Sequence, residues 1–218
     1  MDSILSNRRK AQTNVVSAVI ITGLLAAAIL TVYTWGVPML QKQEDISNID
    51  VALEDMKAIA ENVEVVANKG GSRYSRMEID GLLEVNPANN SFVYNTKSSK
   101  AYVATEKWVN LRENDMRGIP GIMPDDYGIK GSDNAGVIIG KAEESGNRYM
   151  TIFKLFFREL VDINSKRGYQ INLTMEGPKT AQSGKRKVKV ELADTKTIPG
   201  GSSVDGVLEE KIVEVTIE

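Results

Sequence analysis

The sequence predicts an α+β protein. A long N-terminal hydrophobic helix is continued by an amphipathic helix, which packs on a C-terminal antiparallel β-sandwich-like domain. Three observations carry that expectation. Val15–Val37 runs for 23 residues without a charge. From about residue 41 to 68 apolar residues recur at spacings of three and four. From residue 77 short runs of Val, Ile, Tyr and Phe alternate with polar residues between Gly, Asn, Pro and Ser.

The apolar run comes first. As a helix it is roughly 34 Å long at 1.5 Å per residue, enough to cross a hydrocarbon core of about 30 Å. Tyr33 and Trp35 lie near its outer end, where amphipathic rings favour the headgroup level. Pro38 is expected to kink or break the helix. Arg8, Arg9 and Lys10 precede the run, so the first fourteen residues carry +2, and the remainder of this −2 chain carries −4. A basic end before an apolar helix follows the positive-inside rule and puts the N-terminus on the cytoplasmic side. A secretory signal peptide is a poorer fit, because its apolar region is about 7–15 residues and ends at a small-residue cleavage site. Here Ala26–Ala28 sit in the middle of the run.

The amphipathic stripe is Ile46, Ile49, Leu53, Met56, Ala60, Val63 and Ala67, widened by Ile59 and Val66. Gly70-Gly71 should end the helix. The stripe is expected to pack on the chain's own sheet, since a coiled coil needs more heptads. Strands are expected near residues 78–85, 91–95, 100–105, 135–141, 149–162, 168–175, 186–193 and 209–217. Lys187–Leu192 and Lys211–Glu218 alternate clearly, the mark of half-buried strands. Phe153, Phe156, Phe157 and Leu160 also fit a helical spacing. Strand is preferred for 149–162 because Tyr169–Leu173 follows at hairpin distance. Asn164–Gly168 and Gly177–Gly184 read as hairpin connections.

Composition narrows the chemistry. There is no cysteine and no histidine, so thiol nucleophiles, disulfides, thiolate sites and the commonest general base and zinc ligand are missing. No Ser, Lys or Glu is grouped into a nucleophile–base pair. The glycine pairs at 70–71 and 200–201 read as turns, and no cofactor or metal is expected. Lys185-Arg186-Lys187 is a short basic run, two members of which read as the exposed face of a strand, and the charge distribution gives no clustered basic face for nucleic acid. The 114–134 loop carries Asp115, Asp125, Asp126 and Asp133, but their spacing does not match a calcium loop, and a solvated surface loop is the better reading. Asn89-Asn90-Ser91 and Asn172-Leu173-Thr174 are glycosylation sequons, with Asn89 the better placed in its turn-like setting.

The junction Arg8-Arg9-Lys10-Ala11-Gln12 resembles the class III signal peptide of archaeal type IV pilins and archaellins. The resemblance covers about 30 residues. It implies a leader over 1–11, cut by a membrane prepilin peptidase between Ala11 and Gln12, so that the apolar helix stays on the mature chain. A bacterial pilin would carry Glu at the fifth mature position, where this chain has Val16, so the likeness is to the archaeal branch. The division expected is then leader 1–11, membrane and filament-core helix 12–38, amphipathic helix 39–69 and extracellular β-rich domain 70–218. Helices that assemble side by side favour small residues, and Ala18, Thr22, Gly23, Ala26 and Ala27 supply them.

The resemblance further implies a pilin or minor pilin of a cell-surface filament, active in adhesion and not an enzyme. Its partners would be copies of itself, the peptidase, an assembly ATPase and a membrane platform protein. It would be single-pass in the membrane before assembly and extracellular afterwards. A permanently anchored binding protein and an archaellum subunit are the alternatives.

Overall fold

The chain is α+β, with a long N-terminal helix followed by two β-sheets. This computed structural model describes the backbone of residues 2–218 apart from 79, 113–114, 120–121, 124–125 and 183–185. Side chains are described from Val16 onward, apart from those positions and Gln182. Two compact units divide the chain, Met1–Glu44 and Asp45–Glu218.

In the first unit, α1 (Asp2–Thr31) leads through a π-helical turn, Val32–Gly36, into α2 (Val37–Lys69). The expected break at Pro38 does not occur. A proline inside an α-helix removes one N–H and drives its ring into the carbonyl four residues back. The π-turn widens the backbone just ahead of that ring, with the Val37 N–H reaching the Val32 carbonyl. Helical structure therefore continues past Pro38.

In the second unit, α2 buries Ile49, Ala52, Met56, Ile59, Ala60, Val63, Val66 and Ala67. The stripe is nearly the expected one, although Ile46 is exposed and Leu53 only partly buried. Gly70 and Gly71 end the helix at φ 74° and 82°, a conformation that suits glycine.

The strands are β1 (Ser72–Met77), β2 (Leu82–Asn86), β3 (Ser91–Ser98), β4 (Val109–Asn110), β5 (Gly128–Ile129) and β6 (Gly136–Ser145). They continue with β7 (Arg148–Phe157), β8 (Leu160–Asp162), β9 (Arg167–Glu176), β10 (Thr180–Gln182), β11 (Arg186–Ile198) and β12 (Val207–Ile217). One sheet runs β1-β11-β12-β9-β8-β5 and the other β10-β2-β3-β7-β6-β4. The second is antiparallel throughout. The first is mixed, since β12–β9 and β5–β8 are parallel pairs.

Apolar residues of α2 and of both sheets form one core, which includes Phe92 and Phe157 in an edge-to-face pair at 6.4 Å. Val137, Ile139 and Phe156 form a second cluster with Ile119, joined by Trp108, Met116 and Ile122 from the long connection before β6. Strands β6 and β7 are thus covered on both faces. That explains why 149–162, a strand as expected, also mimics helical spacing: apolar residues are needed at both parities.

Three expectations need correction. Residues 100–105 form no strand. The Ala104 carbonyl merely accepts the Ala142 N–H at 2.9 Å, and Tyr102 packs against the core from a coil. The strand expected at 78–85 begins only at Leu82, and β1 lies ahead of it. As an edge strand with four of its six residues exposed, β1 has a polar sequence that hides its strand character. Gly177–Gly184 is not a hairpin connection. It holds β10, which pairs with β2 in the other sheet, and β9 meets β12 instead of β11. The turn within Asn164–Gly168 does join antiparallel strands, β8 and β9, with the Asp162 carboxylate accepting from Asn164, Ser165 and the Ser165 hydroxyl.

Candidate membrane-inserting helix

From Val16 to Leu40 the side chains are almost uniformly exposed and carry no charge. Val19 is 67 % exposed, Leu24 66 % and Trp35 81 %. An 18-residue stretch here has a mean hydropathy of 2.3, and none of it is buried. Soluble proteins rarely leave a continuous apolar surface of this kind open to water. The helix is long and apolar enough to cross a membrane.

Its three threonine hydroxyls are satisfied locally. Thr22, Thr31 and Thr34 hydroxyls donate to the carbonyls of Ala18, Ala27 and Leu30 at 2.8–2.9 Å. That matters because an unpaired backbone group in hydrocarbon costs several kcal/mol, whereas a central Leu contributes only about 0.5 kcal/mol. A helix can therefore enter lipid only as far as its polar groups are paired.

The small residues expected to pack helices lie in this exposed surface. Ala18, Thr22 and Ala26 follow one another at spacing four, beside Gly23 and Ala27. A Cβ added at Gly23 would meet nothing within 4 Å. Arg8, Arg9, Lys10, Ala11 and Gln12 fall within the α1 backbone, but their side chains lie outside the described residues.

The sequons are sorted by the fold. Asn89 is exposed on the 3-10 turn Pro87–Asn89. Asn172 is tied down in β9, its amide donating to Glu210 Oε1 at 2.7 Å. The middle residue of the first sequon, Asn90, has a role the sequence did not suggest. At φ 51° it aims its amide at the carbonyls of Phe157 (2.9 Å) and Ile171, and its Oδ1 accepts the Leu173 N–H at 2.8 Å. One side chain thereby joins β7 of one sheet to β9 of the other.

The acidic loop is built around arginine. Arg158, 2 % exposed between β7 and β8, donates to Asp115 Oδ1 at 2.6 Å and to the Arg117 carbonyl at 2.8 Å. Arg117 pairs with Asp115 and with Asp133, the latter at 3.3 Å. Burial raises the Asp115 pKa, but hydrogen bonds from Arg158 and Arg117 outweigh it and hold the carboxyl below its ordinary value. Asp126 accepts the Tyr127 N–H, and Asn114 and Asp125 lie outside the described residues, as does Lys185. Among the described residues no group of three His, Cys, Asp or Glu is arranged to hold a metal ion. A second ion pair, Glu64–Arg112 at 3.0 and 3.1 Å, clamps α2, and Glu64 Oε1 also accepts the Gly136 N–H at 2.8 Å.

Neither a protein-family model, nor a curated protein, nor a solved structure matches this chain.

Proposed function

We propose that this chain is a structural subunit, a pilin or minor pilin, of an archaeal type IV pilus-like surface filament that serves in adhesion. The observation that carries this reading is the continuous, charge-free and exposed helix surface from Val16 to Leu40, set directly behind Arg8-Arg9-Lys10-Ala11-Gln12. In the membrane that surface is covered by lipid. In a filament the same surface is covered by helices of neighbouring copies, with Ala18, Thr22, Gly23, Ala26 and Ala27 at the close contacts. The leader would be cut by a prepilin peptidase, and an assembly ATPase with a platform protein would drive the transfer from bilayer to filament. The β-rich domain would form the outer surface.

Mass spectrometry of the native N-terminus tests the processing step. A mature chain beginning at Gln12 is expected, and replacing Arg9, Lys10 and Ala11 should block maturation. A wild-type chain recovered from cells with Met1 in place would defeat the proposal. Electron microscopy of shed material separates a filament subunit from a permanent single-pass anchor, since only the former yields filaments.

A further inference from the structure

The π-turn and the proline behind it take regular backbone donors away from acceptors in the helix. The Val37 N–H, which in a regular α-helix would serve the Tyr33 carbonyl, bonds Val32 instead. The next residue in π register is Pro38, which has no N–H. The Tyr33 carbonyl therefore loses both its α-helical and its π-helical donor. The Thr34 carbonyl loses its α-helical donor at the same proline. The Thr34 hydroxyl donates elsewhere, to Leu30 at 2.8 Å and more weakly to Thr31 at 3.4 Å.

This bare acceptor sits among amphipathic rings. Tyr33 is 70 % exposed and Trp35 81 %. Beyond it the chain stays apolar through Val37, Met39 and Leu40, all exposed. Hydropathy alone would draw those three residues into lipid. A carbonyl without a donor opposes this, and its cost of several kcal/mol in hydrocarbon exceeds the roughly 0.5 kcal/mol that each of the three returns.

We propose that Tyr33–Pro38 is a depth stop that docks in the headgroup and water layer of a bilayer. Lipid headgroups and their water supply the donors that the helix lacks, and the two rings lie at the same level. The hydrocarbon-spanning part then ends at Val32. Val15–Val32 is about 27 Å long as a helix, close to a core of about 30 Å. The stop rests on the membrane placement of α1 proposed above, and it holds whether or not filaments form.

Because the chain has no cysteine, single cysteines report position without background. The full chain is reconstituted in liposomes, and a membrane-impermeant maleimide is added from the side of the β-rich domain. Leu25→Cys, Gly36→Cys and Leu40→Cys are compared. A Cβ at Gly36 meets only Val32 Cγ1 at 3.6 Å, an ordinary contact. Gly36→Cys and Leu40→Cys should label at least about tenfold faster than Leu25→Cys, because water reaches them. Adding Pro38→Ala restores an N–H to the ladder, so Gly36→Cys should then become protected by a similar factor. Protection of Gly36→Cys in the otherwise native chain would overturn the stop, as would labelling that Pro38→Ala leaves unchanged. Rapid labelling of Leu25→Cys would overturn the membrane placement itself, and the stop with it.

Discussion

Arg158 is a buried cation held by carboxylate and carbonyl acceptors, with its Nη2 left without a hydrogen bond among the described residues. Its Nη1 meets Asp115 and the Arg117 carbonyl, its Nε reaches the Asn134 carbonyl at 3.3 Å, and its Nη2 lies 3.8 Å from Asp133 Oδ2. Breaking a buried pair from one side is costly because the other charge stays behind. Here Asp115 is partly exposed and keeps Arg117, so the main loss is the donor to the Arg117 and Asn134 carbonyls. Arg158→Met should therefore lower stability by about 1–3 kcal/mol in urea titration. It should also speed backbone hydrogen exchange in the 115–135 connection. The same network carries a pH dependence. Asp115 has its folded pKa below the unfolded value, so its contribution is present above the ordinary carboxylate range, near 3.9. It is lost as pH falls through the lower folded value. Protection in this connection, taken relative to the intrinsic base-catalysed exchange rate, should fall between pH 5 and pH 3 and stay flat between pH 5 and pH 7.

Tyr169 presents the opposite case. It is buried, and among the described residues its hydroxyl has no hydrogen-bond partner. Burial pushes its pKa well above the ordinary value near 10, as it does for Tyr94. An acid with a raised folded pKa keeps its proton while the unfolded chain loses it, so stability falls as pH rises past about 10. Tyr169→Phe removes an unsatisfied polar atom. It should leave neutral-pH stability within about 0.5 kcal/mol or raise it, and it should make the urea midpoint less sensitive between pH 9 and pH 11.

At the scale of elements, the two sheets are joined by polar and apolar contacts of different origin. Alternation in β11 and β12 puts Val188, Val190, Val213 and Val215 into the core. Asn90 adds the polar stitch between β7 and β9. Asn90→Ala leaves the Leu173 N–H and the Phe157 carbonyl without that partner and places a Cβ-bearing residue of lower tolerance at φ 51°. A loss of about 2–4 kcal/mol in thermal or urea unfolding is expected. Asn90→Gly keeps the conformation and loses only the bonds, so it should cost less. If both variants unfold like wild type, Asn90 is no stitch.

Seen as a whole, the molecule joins a β-rich unit with its own core to a helix whose apolar side chains from Val16 to Leu40 are exposed. Its partition into lipid is a sum of small terms. A Lys at the helix centre costs about 2.5–3.5 kcal/mol on the insertion scale, several times what one Leu returns. The wild-type chain should stay in the membrane pellet after an alkaline carbonate wash. Leu24→Lys combined with Ile29→Lys should release it, with the β-rich unit still folded. Retention of the double variant would show that the helix is not what holds the chain in the membrane.

The sequence by itself determined the elements whose signal is local. The charge-free run, the amphipathic stripe of α2, the Gly70-Gly71 stop and the alternating strands all follow from side-chain order and helix or strand period. Tertiary structure decided what depends on distant partners. It placed β12 beside β9, recruited polar β1 as an edge strand, sent β10 to the other sheet, and gave Asn90, Arg158 and Glu64 their roles. Those residues act across 43 to 83 positions of sequence, where no periodicity carries information. Pro38 lies between the two cases. Its chemistry is local, but whether it breaks the helix depends on the backbone around it, and the π-turn gave a third outcome: a continued helix with one carbonyl left to face its surroundings.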